Sequence, residues 1–131
     1  MKATDILMSE HRVIEGVIQS LEIVGGQLEQ GGKVRPGFFV DAADFIKGFA
    51  DDCHHKKEEG VLFKALAENG VPVEGGPVGV MLSEHEQGRI FTRAMRAAAL
   101  QLADDPSRRA AVVENALGYA ALLRQHIMKE D

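Results

Sequence analysis

Apolar residues recur along this chain at intervals of three and four, the spacing that places side chains on one face of an α-helix. The first such stripe runs from Thr4 to about Gln30 and stops at the pair Gly31-Gly32. Its apolar members are Leu7, Ile14, Ile18, Leu21 and Leu28. Glycine directly after a periodic segment is typical of a helix carboxyl end. The pattern therefore predicts a first helix over these residues.

A second helix is predicted after Pro36, a residue that suits a first helical turn. Its apolar positions are Phe39, Ile46, Phe49, Val61, Leu62 and Leu66. The helix is expected to stop at Asn69-Gly70, where the segment GVPVEGGPVG (residues 70–79) is predicted to form a loop.

The same spacing predicts two more helices. The third runs from about Pro77 to Ala103, and the pair Asp105-Pro106 caps a fourth that continues to the terminus. Their apolar positions are Met81, Met95 and Leu102 in the third helix and Val112, Tyr119 and Leu122 in the fourth. Short connections make neighbouring helices antiparallel. We predict an all-α, antiparallel up-down-up-down four-helix bundle that forms a single domain over residues 1–131.

Composition narrows the class of protein. A chain of 131 residues suits one domain with one core, and the single Cys53 excludes an internal disulfide. No charged-then-apolar leader precedes the first helix, so we expect a cytoplasmic protein. A formal charge of -5 without a basic stripe argues against nucleic acid, and no apolar run is long enough for a membrane span. With no second long apolar face, a monomer is the default expectation.

Four of the five histidines fall on the predicted buried stripes. His11 continues the stripe of the first helix, His85 follows Met81 by one turn, and His126 follows Leu122 by one turn. In the second helix one row descends in steps of four: Ile46, Ala50, His54, Glu58 and Leu62. This α-helical register predicts that these four imidazoles face inward.

His55 belongs to a row with Gly48, Asp51 and Asp52, so we expect it to flank the site together with Glu59. Glu58 and Glu130 each stand one turn after an inward histidine, in the spellings HHKKE and HIMKE. Two of the four helices are therefore predicted to aim an imidazole and a carboxylate at the same space.

Position along the bundle places these groups in the same half of the molecule. At 1.5 Å per residue, His11, Glu58, His85 and His126 lie roughly 8 to 16 Å from one end, and His54 about 22 Å from it. A lone histidine on an apolar stripe is usually a core residue with a satisfied hydrogen bond. Four at one level, with two carboxylates, favour a metal centre, because such groups are costly to bury unless paired or metal-bound. Imidazole and carboxylate without thiolate suit iron, manganese or zinc.

The segments SEHRVIE, CHHKKEEGVLF, EHEQGR and RQHIMKED, in this order on four predicted helices, resemble the hemerythrin-like family, also called the HHE cation-binding domain. The resemblance covers essentially the whole chain. It implies a non-haem di-iron centre inside a four-helix bundle, with two iron ions bridged by two carboxylates and an oxo or hydroxo group. On this resemblance the metal ligands are His11, His54, Glu58, His85, His126 and Glu130, with Glu58 and Glu130 as the bridges.

The chain departs from the oxygen-carrying members of the family at Arg89, where those proteins have a second histidine on the third helix. We therefore expect a site of four histidines and two glutamates, which leaves two of the twelve coordination positions of an oxo-bridged iron pair open instead of one. This resembles the branch that includes bacterial proteins for repair of iron centres, although their cysteine-bearing amino-terminal segment is not seen before the first helix.

The resemblance implies a protein that binds or reduces a small ligand such as O2, NO or peroxide. Two alternatives stay open: an iron or oxygen sensor that binds its ligand without turnover, and a metal-free or zinc-bound interaction bundle. Two ligand assignments also stay open. His55 and Glu59 are the alternative to His54 and Glu58, and Asp131 competes with Glu130 as the second bridge.

Overall fold

The computed structural model describes residues 3–35, 37–61 and 76–130, and within these ranges the chain is helical and forms no strand. Helix α1 spans Ala3–Glu29, and α2 spans Gly37–Phe45. The second helix continues as a π-helix over Ile46–His55 and returns to α-helix over residues 56–61. Helix α3 spans Gly76–Leu102, and α4 spans Arg109–Glu130 after a 3-10 turn at Pro106–Arg108. The all-α class is confirmed, whereas the antiparallel up-down order stays a prediction.

The ends of α1 and α4 agree with the sequence prediction, and local chemistry explains both. Gly31 has a φ of 82° and donates its N–H to the Leu28 carbonyl at 3.0 Å, while Gly32 donates to the Gln27 carbonyl at 2.8 Å. This pair of backbone hydrogen bonds at the helix end requires Gly31 to adopt the left-handed conformation, which glycine does freely. At the start of the 3-10 turn before α4, the Asp105 carboxylate accepts the N–H of Ser107 at 3.1 Å.

Some of the predicted boundaries cannot be compared with the structure. Pro36, Leu62, Leu66 and the pair Asn69-Gly70 lie outside the described residues, as does the first part of the predicted loop. Residues 76–79, the last part of that segment, already belong to the first turn of α3.

The apolar stripes meet in one core. Helix α4 packs most extensively on α3 and α1, while α2 packs mainly on α3. All the apolar residues named for α1 and α3 are buried, together with Phe39, Ile46, Val112 and Tyr119. Leu122 is only half-buried, and Leu123 takes the inward position on α4 instead. None of the described helices combines the length and apolarity needed to cross a membrane.

The π-helix of the second helix changes which of its residues face inward. A π-helix closes hydrogen bonds over five residues instead of four, so residues five apart share a face. Ala50 and His55 are such a pair, and both are buried. His54 is buried as well, as is Asp51. The sequence expectation for His55 assumed an α-helical register through residues 46–55, whereas the π-helix buries His55 together with His54.

Candidate metal centre

Five imidazoles and one carboxylate meet in the interior of the bundle. Helix α1 contributes His11, α3 contributes His85, and α4 contributes His126. The second helix contributes the remaining three groups, which are His54, His55 and Glu58. All six side chains are at most 3% exposed. The chain thus brings five histidines to the site, where the sequence prediction counted four.

These side chains divide into two groups of three. The first triad is His11, His54 and Glu58, and the second triad is His55, His85 and His126. Within each triad, one potential ligand atom from every residue lies within 4.8 Å of the others. Imidazole nitrogen and carboxylate oxygen are donors that suit iron, manganese or zinc. The donor set therefore fits two neighbouring metal ions.

The Glu58 carboxylate lies between the two triads and addresses both. Its Oε2 is 3.4 Å from His11 Nε2 and 3.3 Å from His54 Nε2. Its Oε1 is 3.0 Å from His85 Nε2 and 3.4 Å from His126 Nε2. The two oxygens of one side chain are thus divided between one pair of imidazoles and another.

The protonation of the site follows from burial and from these contacts. Burial by itself would raise the pKa of Glu58, but the hydrogen bonds with His11, His126, His54 and His85 lower that pKa far below its usual value. Burial also lowers the pKa of His55, and this effect exceeds the opposing contribution of Asp51. Near neutral pH the site therefore holds an ionised carboxylate and a neutral His55, which are the forms that bind metal ions.

A carboxylate orients the His54 ring from outside the first triad. The Nδ1 of His54 is 3.0 Å from Glu10 Oε1, and the Lys57 ammonium donates to Glu10 Oε2 at 2.7 Å. A carboxylate on the outer nitrogen of a ligating histidine fixes its tautomer and ring orientation. Glu10 therefore leaves His54 Nε2 directed at Glu58.

The second triad has the same kind of support. His85 Nδ1 is 3.0 Å from Glu59 Oε1, and His126 Nδ1 is 3.3 Å from Glu84 Oε1. The Arg89 guanidinium lies 3.9 Å from that same oxygen of Glu59. Glu59 thus contacts the outer nitrogen of an imidazole of the cluster. Arg89 therefore lies beside a carboxylate that contacts the cluster.

Sequence reasoning missed Glu10 and Glu84, although a signal was present. Each of them directly precedes a histidine of the cluster, Glu10 before His11 and Glu84 before His85. Each carboxylate, however, contacts a histidine on another helix, so the pairing cannot be read from neighbouring positions. The repeated Glu-His dipeptide was the available clue.

His55 differs from the other imidazoles in its hydrogen bonding. Its Nδ1 is 3.3 Å from Asp51 Oδ1, but the two groups are not aligned for a hydrogen bond. Within the described residues, neither ring nitrogen of His55 has a hydrogen-bond partner. The ring stacks on His85, with centroids 3.8 Å apart and planes 10° apart. A buried imidazole without a hydrogen-bond partner fits a metal site, because a metal ion would bind one of its ring nitrogens.

The structure brings together five of the six ligands that the sequence suggested: His11, His54, Glu58, His85 and His126. The side chain of Glu130 lies outside the described residues, as does Asp131. The competition between these two carboxylates for the second bridge therefore stays a prediction.

A buried histidine-carboxylate cluster in an all-helical chain defines a class of metal-binding proteins, and comparison with known proteins makes the class specific. The model of the hemerythrin HHE cation-binding domain matches residues 2–131, so this chain belongs to that family. Similar curated proteins are uncharacterized proteins of Mycobacterium bovis and of two strains of Mycobacterium tuberculosis, each 24% identical over 130 residues. The match covers 98% of this chain and 50% of each relative, so the chain spans about half their length. No solved structure matches the chain.

Proposed function

We propose that this protein holds two iron ions in the buried cluster and binds or reduces a small ligand such as O2, NO or peroxide there. The observation that carries the proposal is the position of Glu58, whose two oxygens are divided between the two triads. A carboxylate that gives one oxygen to each of two metal ions holds them as a close pair, the arrangement that two-metal chemistry uses. Membership of the hemerythrin HHE family supports iron as the metal.

The ligand assignment follows the two triads. His11 and His54 would hold one ion, the second triad would hold the other, and Glu58 would bridge them. His55 thus supplies a fifth imidazole from the second helix, whereas the oxygen carriers take theirs from the third. With a second bridging carboxylate and an oxo or hydroxo bridge, this set of ligands would leave one coordination position open, where four histidines would leave two.

Glu130 is our proposed second bridge, because it repeats the spacing between His54 and Glu58. We expect Glu130→Ala to lower the iron content and Asp131→Ala to leave it unchanged. The reverse result assigns the bridge to Asp131.

The side chains around the cluster have separate tasks in this function. A bound iron pair would exchange electrons with the ligand. Glu10, Glu59 and Glu84 orient three of the imidazoles through their outer nitrogens. Buried apolar residues of the core, among them Ile14 and Leu123, exclude water on the interior side of the site. The dielectric constant there is therefore low, and electrostatic interactions within the site are stronger.

The test is metal analysis followed by spectroscopy. Protein from iron-supplemented cells should contain about two equivalents of iron and show a near-ultraviolet oxo-to-iron band that dithionite removes. O2, NO and peroxide are then added separately to the reduced protein. Less than one equivalent of iron, with no such band, contradicts the proposal and favours the zinc-bound or metal-free bundle. Reversible spectral changes without turnover favour the sensor.

Location and assembly are further parts of the proposal. Cys53 is the only cysteine of the chain, so no intrachain disulfide is available to stabilise it, which suits a reducing compartment. We propose a cytoplasmic monomer. A dimer mass that does not change with concentration in solution scattering contradicts the monomer.

A further inference from the structure

Tyr119 lies in the layer of the core next to the metal centre. It is 1% exposed and lines a small apolar cavity together with Ile14 and Ala50. A methyl group added at Gly88 would lie 3.5 Å from Tyr119 Cε2, so the ring also passes close to the α3 backbone. Its surroundings thus belong to α1, the second helix and α3.

Each of these neighbours is about one helical turn from a histidine of the cluster. Ile14 follows His11 by three residues, Gly88 follows His85 by three, and Ala50 precedes His54 by four. At 1.5 Å per residue, these steps correspond to about 5 Å along each helix axis. Tyr119 therefore packs against residues that lie about one helical turn from the cluster.

The hydroxyl of Tyr119 is buried and has no hydrogen-bond partner within the described residues. Burial raises the pKa of this phenol, and the negative charge of Asp51 adds to the effect. The hydroxyl therefore keeps its proton and remains a potential donor. A buried donor without an acceptor costs free energy, so a group of this kind requires an explanation.

We propose that Tyr119 donates a hydrogen bond to the small ligand that binds at the metal centre, an inference that rests on the proposed function. The Tyr119 hydroxyl favours ligands that carry negative charge on the atom not bound to the metal. Hydrogen bonds to charged acceptors are stronger than those to neutral ones. Peroxide and small anions thus gain more from Tyr119 than neutral O2 or NO does. Tyr119 acts in this way as a specificity-determining residue of the site.

The first experiment uses azide as the probe, with iron-loaded wild-type protein and Tyr119→Phe. The variant should keep its iron and bind azide with roughly tenfold lower affinity, the loss expected for one hydrogen bond to a charged group. The infrared stretch of bound azide should shift between H2O and D2O in the wild type and lose that shift in Tyr119→Phe. Equal affinities and equal isotope shifts contradict the role of Tyr119. Failure of the wild type to hold iron or azide contradicts the proposed function instead.

The second experiment uses the metal-free protein and a matched control. Thr92 is also buried, but its hydroxyl donates to the Gly88 carbonyl at 2.9 Å. In the metal-free protein, Tyr119→Phe should keep or raise the melting temperature, because it removes a hydroxyl without a partner. Thr92→Val should lower it, because it removes a hydrogen-bonded one. If Tyr119→Phe lowers the melting temperature as much as Thr92→Val does, the hydroxyl has a structural partner and the inference is wrong.

Discussion

The two triads of the cluster differ in their donors and in the charges behind them. The first triad combines two imidazoles with a carboxylate, whereas the second consists of three imidazoles. Behind the first, the Glu10 carboxylate makes a 2.7 Å contact with the Lys57 ammonium. Behind the second, Glu59 lies 3.9 Å from the Arg89 guanidinium, a longer contact. The two triads therefore differ in the surroundings that they would offer a metal ion.

The second helix creates this difference, because it is the one element that contributes to both triads. His54 faces the first triad, His55 the second, and Glu58 contacts imidazoles of both. Both of these adjacent histidines are buried in the π-helical segment, where hydrogen bonds close over five residues instead of four. Helix geometry, as well as residue type, therefore decides which triad each donor joins.

The largest effect is expected from Glu58→Gln, which removes the charge shared by both triads. Both metal positions should weaken together, and the iron content should fall from about two equivalents to less than one. The melting temperature of the iron-loaded protein should fall as well, because metal binding stabilises the fold. Elemental analysis and thermal unfolding measure the two effects.

Glu86→Gln is the control for that experiment, because Glu86 is exposed and pairs only with Arg89 and Arg93 among the described residues. Its iron content should stay at the wild-type value. Two equivalents of iron in Glu58→Gln would show that the carboxylate is not a shared ligand.

The next effect separates the two triads. His54→Ala should remove a ligand of the first position and His55→Ala a ligand of the second, so each variant should lose about one equivalent of iron. Elemental analysis together with Mössbauer spectroscopy of the remaining iron should reveal two different residual sites. Lys56→Ala, an exposed neighbour on the same helix, is the control. If His55→Ala keeps two equivalents of iron, His55 is not a ligand and the site has four histidines.

A smaller effect is expected from the carboxylates behind the imidazoles. Glu10→Gln and Glu59→Gln should each lower metal affinity by roughly 10- to 100-fold without removing a ligand. Glu10→Gln should have the larger effect, because Glu10 uses one oxygen for His54 and the other for Lys57. Competition with a chelator measures both affinities. Affinities equal to the wild type in both variants would show that these contacts do not orient the rings.

The smallest effect concerns the pH dependence of the metal-free protein. Burial lowers the pKa of His55 from its ordinary 6.5, so below that pH the unfolded chain binds a proton that the folded protein does not. The His55 contribution is fully present above pH 6.5 and is lost as the pH falls toward the folded pKa. The free energy of unfolding should decrease with falling pH by at most about 1.4 kcal/mol per unit from this group.

Urea denaturation of the metal-free protein between about pH 7.5 and 5.5 measures this slope, and the ordinary His55 pKa of 6.5 lies inside that interval. His55→Gln should show a smaller decrease than the wild type. An identical slope in the two proteins would mean that His55 does not experience the burial seen here.

Much of the fold could be predicted from the sequence because its signals are local. The α1 stripe and its glycine stop placed the helix end within one residue of Glu29, and Asp105 marked the turn before α4. Four of the five clustered histidines were found for the same reason, since each continues an apolar stripe. His55 was only the alternative to His54, because the rule used for the second helix assumes bonds over four residues.

The helical class, the inward apolar faces and the kinds of donor available could be read from the chain alone, because they depend on residue type and on spacing within one helix. Which donors meet depends on how the helices pack. The π-helical register turned His55 inward, and the packing of α1 against the second helix paired Glu10 with His54 across 44 residues of sequence. The position of Glu58 between the two triads has the same origin. Such contacts join different helices, so spacing along any one of them does not specify the distances between their side chains.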